Sequence, residues 1–170
     1  MAVRSYVNSE TTSKQSIGKS GLSLVGWLAL CFAAASTGVF VSTGDWYASL
    51  IKPSWNPPSW LFGPVWSILY CVMAVAAWLV WCLGGWERQR IPLALFVLQL
   101  TLNALWTPLF FGLHMPGLAF GEMCLLWLAL VSTVILFWRI RPLAGFLLVP
   151  YLGWVSFAAF LNFTIWQLNS

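Results

Sequence analysis

The chain has 170 residues, of which 61% are hydrophobic and 7% are charged. A soluble domain carries about 25% charged residues, so this composition excludes a water-facing surface and predicts an integral membrane protein surrounded by a lipid bilayer. The net charge of +4 comes without a basic run or patch, and no nucleic-acid partner is expected.

The chain divides into a polar tail and a series of apolar segments. Residues 1–20 lack apolar periodicity, which predicts a disordered tail. Each apolar segment that follows has about the 20 residues that a spanning helix needs. The predicted helices cover residues 21–43, 60–83, 91–112, 117–138 and 143–167. The predicted fold class is therefore all-α, with residues 21–170 forming a single transmembrane domain, a bundle of five helices.

The first apolar segment has a second interpretation. Lys14 and Lys19 precede an apolar run that reaches three alanines at 33–35, which resembles a signal-peptide cleavage site. The run continues through residues 39–41, which favours an uncleaved helix. The end of the second helix is predicted by two glycines and the charges that follow them, at Gly84, Gly85, Glu87, Arg88 and Arg90.

Positive charge is unequal on the two faces of such a bundle. Five spans place the tail, the second loop and the fourth loop on one face, with the basic residues Arg4, Lys14, Lys19, Arg88, Arg90, Arg139 and Arg141. The other face holds Lys52. Because positive residues stay cytoplasmic, the amino terminus is predicted inside and the carboxy terminus outside.

Conventional catalytic groups are scarce. His114 is the only histidine of the sequence and is interpreted as a solvated loop residue. Glu122 lies about one turn into the fourth predicted helix, shallow enough to reach the interface, although acids within a span are functional candidates by default. The cysteines have no CxxC spacing, so no metal or redox site is expected, and they are predicted to be small buried hydrophobes: Cys31, Cys71, Cys82 and Cys124.

Three predicted helices each place polar or aromatic side chains on one face, at spacings of three or four residues. These residues are Phe62, Trp66 and Tyr70 in the second helix, Gln99, Asn103 and Trp106 in the third, and Trp154, Ala158, Leu161 and Asn162 in the fifth. One interpretation is that the amides and indoles bond between helices and hold the bundle together. The other is a cavity with aromatic walls, typical of sites for flat apolar ligands. Ala158 favours the cavity, because a small residue one turn from Trp154 leaves room beside the indole.

Three stretches of the chain resemble the translocator protein family (TspO/MBR), whose bacterial members are tryptophan-rich sensory proteins and whose animal members include the peripheral benzodiazepine receptor. They are WYASLIKPSWNPPSWLFGPVWSILY at 46–70, QLTLNALWTPLFFG at 99–112 and PYLGWVSFAAFLN at 150–162. The resemblance implies a five-helix membrane bundle, often dimeric, that binds porphyrins, haem and, in animals, cholesterol and synthetic ligands. Some bacterial members of that family promote light- and oxygen-dependent breakdown of protoporphyrin IX, so the resemblance also implies that this activity is possible here.

The resemblance further implies a pocket between the helices, capped by the first loop. Trp66 and Trp154 correspond to the family's paired tryptophans, and other pocket positions align with Tyr70, Asn103, Trp106 and Ala158. With the same-face neighbours, the candidate ligand-binding set is Phe62, Trp66, Tyr70, Asn103, Trp106, Trp154, Ala158 and Leu161. Two features depart from the animal pattern. Leu118 stands where animal members have a pocket tryptophan, and the sterol motif at the end of the fifth helix is altered.

The first loop is predicted to be a rigid lid. Pro53, Pro57 and Pro58 fix the backbone and remove donors that lipid could not satisfy, and Pro64 is placed in the first turn of the second helix. Trp55 and Trp60 are interpreted as interfacial anchors.

The leading hypothesis is a tetrapyrrole-binding membrane protein, a sensor, scavenger or carrier with porphyrin or haem as ligand and no required cofactor. One alternative is an enzyme that degrades protoporphyrin with light and oxygen, in which Trp66 and Trp154 would be catalytic. The other is a sterol or lipid transporter. A homodimer is expected mainly from the resemblance, with Gly117 and Gly121 as a small-xxx-small pair. The expected location is a bacterial inner membrane.

Overall fold

A computed structural model describes residues 21–38 and 44–170. The helices are α1 (Gly21–Gly38), α2 (Gly44–Ser49), α3 (Ser59–Trp81), α4 (Gly85–Thr107), α5 (Pro116–Ile140) and α6 (Pro142–Leu168). A π-helical segment, Pro108–Gly112, extends α4. All but the short α2 are long and apolar enough to cross a membrane. The described residues therefore form an all-α, multi-pass membrane bundle with five spanning helices. The predicted tail, and residues 39–43 of the first predicted helix, lie outside the described residues.

The four later spanning helices form a closed set of neighbours. α4 packs against α5, α5 against α6, α6 against α3, and α3 returns to α4. α1 lies against α3 and α4 through Trp27, whose ring centroid is 5.9 Å from that of Trp81 and 5.6 Å from that of Phe96. Because lipid is as apolar as the interior, close packing of side chains holds these helices together.

Two glycines permit close approaches between α5 and α6. A Cβ on Gly145 would lie 2.7 Å from the backbone Cα of Trp138, and one on Gly117 would lie 2.8 Å from the Trp166 indole. A Cβ on Gly121 would meet no atom within 4 Å in the described part of the chain. Gly117 is therefore covered within the monomer, and Gly121 is open.

The third spanning helix begins earlier than predicted, at Gly85 instead of residue 91. Gly84 and Gly85 have φ values of 121° and 60°, which glycine adopts easily, and they reverse the chain in very few residues. The charged residues predicted to form the loop therefore belong to the helix, which is kinked at Gln89 (φ −116°, ψ 27°).

Two other local predictions are wrong. Pro64 is the sixth residue of α3, beyond its first turn, so it removes a hydrogen bond that the helix would otherwise form. Cys31 is buried as predicted, but the thiols of Cys71, Cys82 and Cys124 are exposed. The prediction failed because the outside of a spanning helix is as apolar as its inside, so a small apolar side chain is stable on either face.

Candidate functional site

A lid, defined here as residues 44–58, covers the end of the bundle where α4 and α6 finish. Two aromatic residues of its helix α2 pack on the π segment. The ring centroid of Trp46 is 5.7 Å from that of Phe110, and the ring centroid of Tyr47 is 5.3 Å from that of Phe111. The Lys52 ammonium lies 4.5 Å from the centre of the Tyr47 ring and donates to two lid carbonyls. Burial raises the pKa of Tyr47, partly offset by its hydrogen bond to Asn56, so the phenol stays neutral.

The lid is also attached to α6. The backbone N–H of Ile51 donates to Oδ1 of Asn169 at 2.9 Å, and Nδ2 of Asn169 donates to the Ile51 carbonyl at 2.9 Å. Trp55 stacks on Phe160 with centroids 5.3 Å apart, so it packs on the bundle as well as standing at the predicted interface. Trp60, at the start of α3, is 71% exposed.

Three adjoining cavities lie beneath the lid and between the helices. The lid cavity, of about 250 Å³, is lined by Gly38, Tyr47, Ser59, Phe62, Trp66, Trp106, Thr107, Phe110, Phe111, Ala158, Leu161, Asn162 and Ile165. The groove cavity, of about 340 Å³, is lined by Phe32, Ala35, Thr37, Gly38, Gly63, Trp66, Ser67, Tyr70, Asn103, Trp106 and Thr107. The inner cavity, of about 30 Å³, is lined by Phe62, Trp66, Asn103, Trp106, Met123, Leu126, Trp154, Val155 and Ala158. Trp66 and Trp106 line all three, so the cavities meet at these indoles.

A chain of buried hydrogen bonds runs behind the cavity walls. The Tyr70 hydroxyl donates to Oδ1 of Asn103 at 2.5 Å, and Nδ2 of Asn103 donates to the Tyr151 hydroxyl at 3.1 Å. The Tyr151 hydroxyl donates to Oε1 of Gln99 at 2.9 Å. Gln99 and Asn103 therefore bond between helices, as one interpretation predicted, and Asn103 also lines two cavities.

Trp106 has a fixed orientation. Its indole N–H donates to Oδ1 of Asn162 at 2.9 Å, and Nδ2 of Asn162 donates to the Pro116 carbonyl at 2.8 Å. The ring also stacks on Phe110, with centroids 5.2 Å apart. A wall built in this way is preformed, which lowers the entropy lost on binding.

Several buried polar atoms have no hydrogen-bond partner among the described residues. They are the indole N–H of Trp154, Nε2 of Gln99 and both carboxylate oxygens of Glu122. Trp154 lines the inner cavity, whose volume is enough for about one water molecule, so its N–H is available to a water or a ligand. The expectation that Glu122 reaches the interface is wrong, because its carboxylate packs into the bundle.

His114 is exposed, as predicted for a loop residue, but it has a specific partner. Its ring is stacked on Trp46, with centroids 4.2 Å apart and planes 15° from parallel.

The described lining of the three cavities includes no charged side chain. The site is therefore suited to stacking against a flat, largely apolar ligand.

Comparison with known proteins places this architecture in a family. A sequence model of the TspO/MBR family matches residues 26–167. The chain belongs to the TspO/MBR family. It is 45% identical over 140 residues to Protein CrtK of Rhodobacter capsulatus, covering 82% of this chain and 88% of that protein. It is 45% identical over 159 residues to the tryptophan-rich protein TspO of Chlorobaculum tepidum, covering 90% and 99%. It is 43% identical over 145 residues to the human translocator protein, covering 80% and 86%.

All eight candidate residues of this TspO/MBR chain line at least one cavity. Phe62 and Ala158 line the lid and inner cavities, Asn103 the inner and groove cavities, and Tyr70, Leu161 and Trp154 one each. Their role in binding remains a prediction. Leu118, which the resemblance aligns with a pocket tryptophan of animal members, is 50% exposed and lies outside all three linings.

Sequence reasoning missed several wall residues of the lid cavity, notably Tyr47, Phe110 and Phe111. All three lie in stretches that carry the family resemblance, which was the signal available. It also missed Tyr151 at the centre of the hydrogen-bond chain. A single tyrosine in an apolar helix has no periodic signal, although its place three residues before Trp154 put it on the same side of α6.

Proposed function

We propose that this protein binds a tetrapyrrole, a porphyrin or haem, beneath the lid and acts as its sensor, scavenger or carrier. The observation that supports this best is the junction of the lid and groove cavities at Trp66 and Trp106. Each cavity is near the lower end of the range for ligand pockets, roughly 300–1,000 Å³. A flat ligand that extends across the two indoles uses both cavities and stacks on rigid aromatic faces.

The chemistry of the walls favours binding through the face of the macrocycle. The described lining of the lid and groove cavities contains no histidine, cysteine or methionine, which are common ligands of haem iron. Tyr47 lines the lid cavity, but its raised pKa keeps the phenol protonated and a poor iron ligand. We therefore expect free-base protoporphyrin and haem to bind with similar affinity.

Ala158 offers the sharpest test of this site, because it lines both the lid and the inner cavity. Ala158→Leu adds volume at the cavity junction and should weaken porphyrin binding about tenfold, since overpacking costs about 1–3 kcal/mol and about 1.4 kcal/mol corresponds to a factor of ten. Ala94→Leu, at an exposed position of α4, is the matched control and should bind as the wild type does. Binding is measured by quenching of tryptophan fluorescence in detergent. Equal affinity of the wild type and a folded Ala158→Leu variant would exclude this placement.

Trp154→Phe tests the indole N–H separately. It keeps an aromatic ring but removes the donor that is unpaired in the ligand-free site. One net hydrogen bond is worth about 0.5–1.5 kcal/mol, which predicts roughly a two- to tenfold loss of affinity. Full affinity in this variant would show that the N–H does not contact the ligand.

A second candidate function is the light- and oxygen-dependent degradation of protoporphyrin IX. It is favoured by the presence of three oxidisable indoles on the wall of the inner cavity, Trp66, Trp106 and Trp154, of which Trp66 and Trp154 are the candidate catalytic residues. Illumination of the purified protein with protoporphyrin IX in the presence of oxygen tests it. Degradation products that are lost in Trp66→Phe or Trp154→Phe, while binding persists, would support the enzyme. Products that form equally in both variants would not.

We infer a bacterial inner-membrane location with the amino terminus in the cytoplasm and the carboxy terminus outside. Four arginines lie at the end of the bundle opposite the lid: Arg88 and Arg90 near the start of α4, Arg139 near the end of α5, and Arg141 in the connection α5–α6. The positive-inside rule favours a cytoplasmic location for this end. On a background without native cysteines, an impermeant thiol reagent applied to intact cells should label Ser170→Cys and spare Ser5→Cys. The reverse pattern would invert the orientation.

We also propose a homodimer, chiefly from the family resemblance. Gly117 is excluded from the interface because Trp166 of the same chain covers it. Gly121 is open and can admit a neighbouring helix. Gly121→Leu should shift the detergent-solubilised protein towards monomer. A dimer that persists in this variant would show that Gly121 does not lie in the interface.

A further inference from the structure

We propose that His114 is a positioning residue that holds the lid closed, and that protonation of its ring strengthens the closed state. The contact that supports this is the stack of His114 on Trp46, at 4.2 Å between centroids and 15° between planes. Trp46 belongs to α2, and His114 lies in the connection between the π segment and α5. The stack therefore joins the lid to the body of the bundle.

The backbone around His114 is built to present the ring at this place. His114 has φ 56°, in the left-handed region that residues other than glycine seldom occupy. Hydrogen bonds on both sides secure it: the N–H of Leu113 donates to the Pro108 carbonyl at 2.8 Å, and the N–H of Met115 donates to the Leu109 carbonyl at 3.2 Å. The end of the π segment thus holds His114 in an uncommon backbone conformation, and this conformation places its ring on Trp46 of the lid.

The stack has a direction of response to pH. Imidazole is the side chain that ordinarily changes charge between pH 5 and 8. An indole face attracts a cation, so the closed lid favours the protonated ring. By linkage, protonation of the ring favours closure, so this added stability is greater at low pH than at high pH. Because His114 is exposed, protonation does not require a charge to be buried.

Other titratable groups near this contact give distinguishable effects. In α2, Asp45 is adjacent to Trp46, and its carboxylate is the main competitor as the source of a pH response. Tyr47 stays neutral because burial raises its pKa, and the Lys52 ammonium donates to two lid carbonyls. The π segment has no charged residue, and the first acid of α5 is Glu122, about two turns from His114.

The experiment measures lid opening in the ligand-free protein by hydrogen exchange of the amides of residues 44–58. Rates at pH 5.5 and 7.5 are corrected for intrinsic exchange and referred to α5 peptides of the same sample. In the wild type we expect opening to be about two- to fivefold rarer at pH 5.5, from the strength of an exposed cation–π contact. No pH difference in the wild type would overturn the proposal.

Three variants separate the stack from its alternatives. His114→Asn keeps a residue that tolerates positive φ and removes the ring, so the lid should open more often and without pH dependence. His114→Phe should restore slow opening, still without pH dependence, and Asp45→Asn should retain the wild-type response. A pH response that survives in His114→Asn, or disappears in Asp45→Asn, would contradict the proposal.

A ligand measurement then connects the lid to the proposed function, on which only this step rests. If the protein binds porphyrin, dissociation should be slower at pH 5.5 in the wild type, and His114→Asn should remove the difference. If lid exchange responds as expected and porphyrin does not bind, the proposed function fails and the role of His114 stands. If porphyrin binds and lid exchange is independent of pH, the role of His114 fails alone.

Discussion

Tyr151→Phe should destabilise the protein more than Tyr70→Phe, the other loss of a hydroxyl from its buried hydrogen-bond chain. The Tyr151 hydroxyl accepts from Asn103 and donates to Gln99, at 3.1 and 2.9 Å, and the tyrosine is fully buried. Its removal leaves Gln99 without any partner, because Nε2 of that amide is already unpaired in the described structure.

The expected cost follows from two opposing effects. A buried polar group left unpaired costs about 1–3 kcal/mol. In membrane bundles the measured worth of a bond between helices averages only about 0.6 kcal/mol, with a maximum near 1.7, because the unfolded chain finds other partners. Tyr151→Phe removes two hydrogen bonds and leaves the side-chain amide of Gln99 buried and unpaired, so it should lower the free energy of unfolding by about 1–2 kcal/mol. Tyr70→Phe loses one bond and frees the carbonyl oxygen of Asn103, which lines two cavities where water can replace the hydroxyl. Its cost should be about 0.5–1 kcal/mol.

A double-mutant cycle tests this reasoning. Reversible unfolding is followed by titration with a denaturing detergent in mixed micelles. Because replacing both partners of a buried bond by apolar groups is often nearly neutral, adding Gln99→Leu to Tyr151→Phe should recover at least half of the lost stability. A double variant as unstable as the sum of the two single changes would refute the idea that the stranded amide sets the cost. A Tyr70→Phe cost equal to that of Tyr151→Phe would refute the ranking.

Two further predictions concern glycine packing and sterol binding. Gly117→Ala should destabilise the protein by about 1–3 kcal/mol, because the added methyl group overpacks against Trp166. Gly121→Ala meets open space and should stabilise the protein by up to about 1 kcal/mol through its higher helix propensity. Equal thermal stability of the two variants would contradict this packing. Cholesterol should bind weakly, because Phe163 and Gln167 stand where the proposed sterol motif requires tyrosine and a basic residue. A sterol titration of the Phe163→Tyr, Gln167→Arg double variant should show tighter binding than the wild type, and tight wild-type binding without improvement would argue against it.

The five helices were predictable from the sequence because lipid requires long, nearly continuous apolar segments. The bonds of Gln99 and Asn103 were predictable for a related reason, since deep amides in a span need partners and these two share a helix face. The start of α4 was not, because the sequence does not show that Gly84 and Gly85 reverse the chain so tightly that charged residues enter the helix.

Residue spacing and the family resemblance together predicted the position of the candidate site, but neither predicted the contact that holds the lid on the bundle. The stack of His114 on Trp46 joins residues far apart in the chain and depends on a left-handed backbone conformation, which a lone histidine does not signal. The burial of Glu122 was missed because position in a helix gives depth but not the direction in which a long side chain folds. In both cases the outcome is decided by tertiary packing.

The pairing of Ile51 with Asn169 has a consequence for the order in which the protein matures. The two residues are 118 positions apart. A chain emerging from the ribosome folds from its amino-terminal side first, so the lid segment is synthesised well before α6 exists. Until α6 is inserted, the lid lacks these two hydrogen bonds and the stacking of Trp55 on Phe160, and the lid cavity lacks the wall formed by Ala158, Leu161, Asn162 and Ile165. Completion of α6 is thus the step of biogenesis that both finishes the wall of the lid cavity and fastens the lid over it.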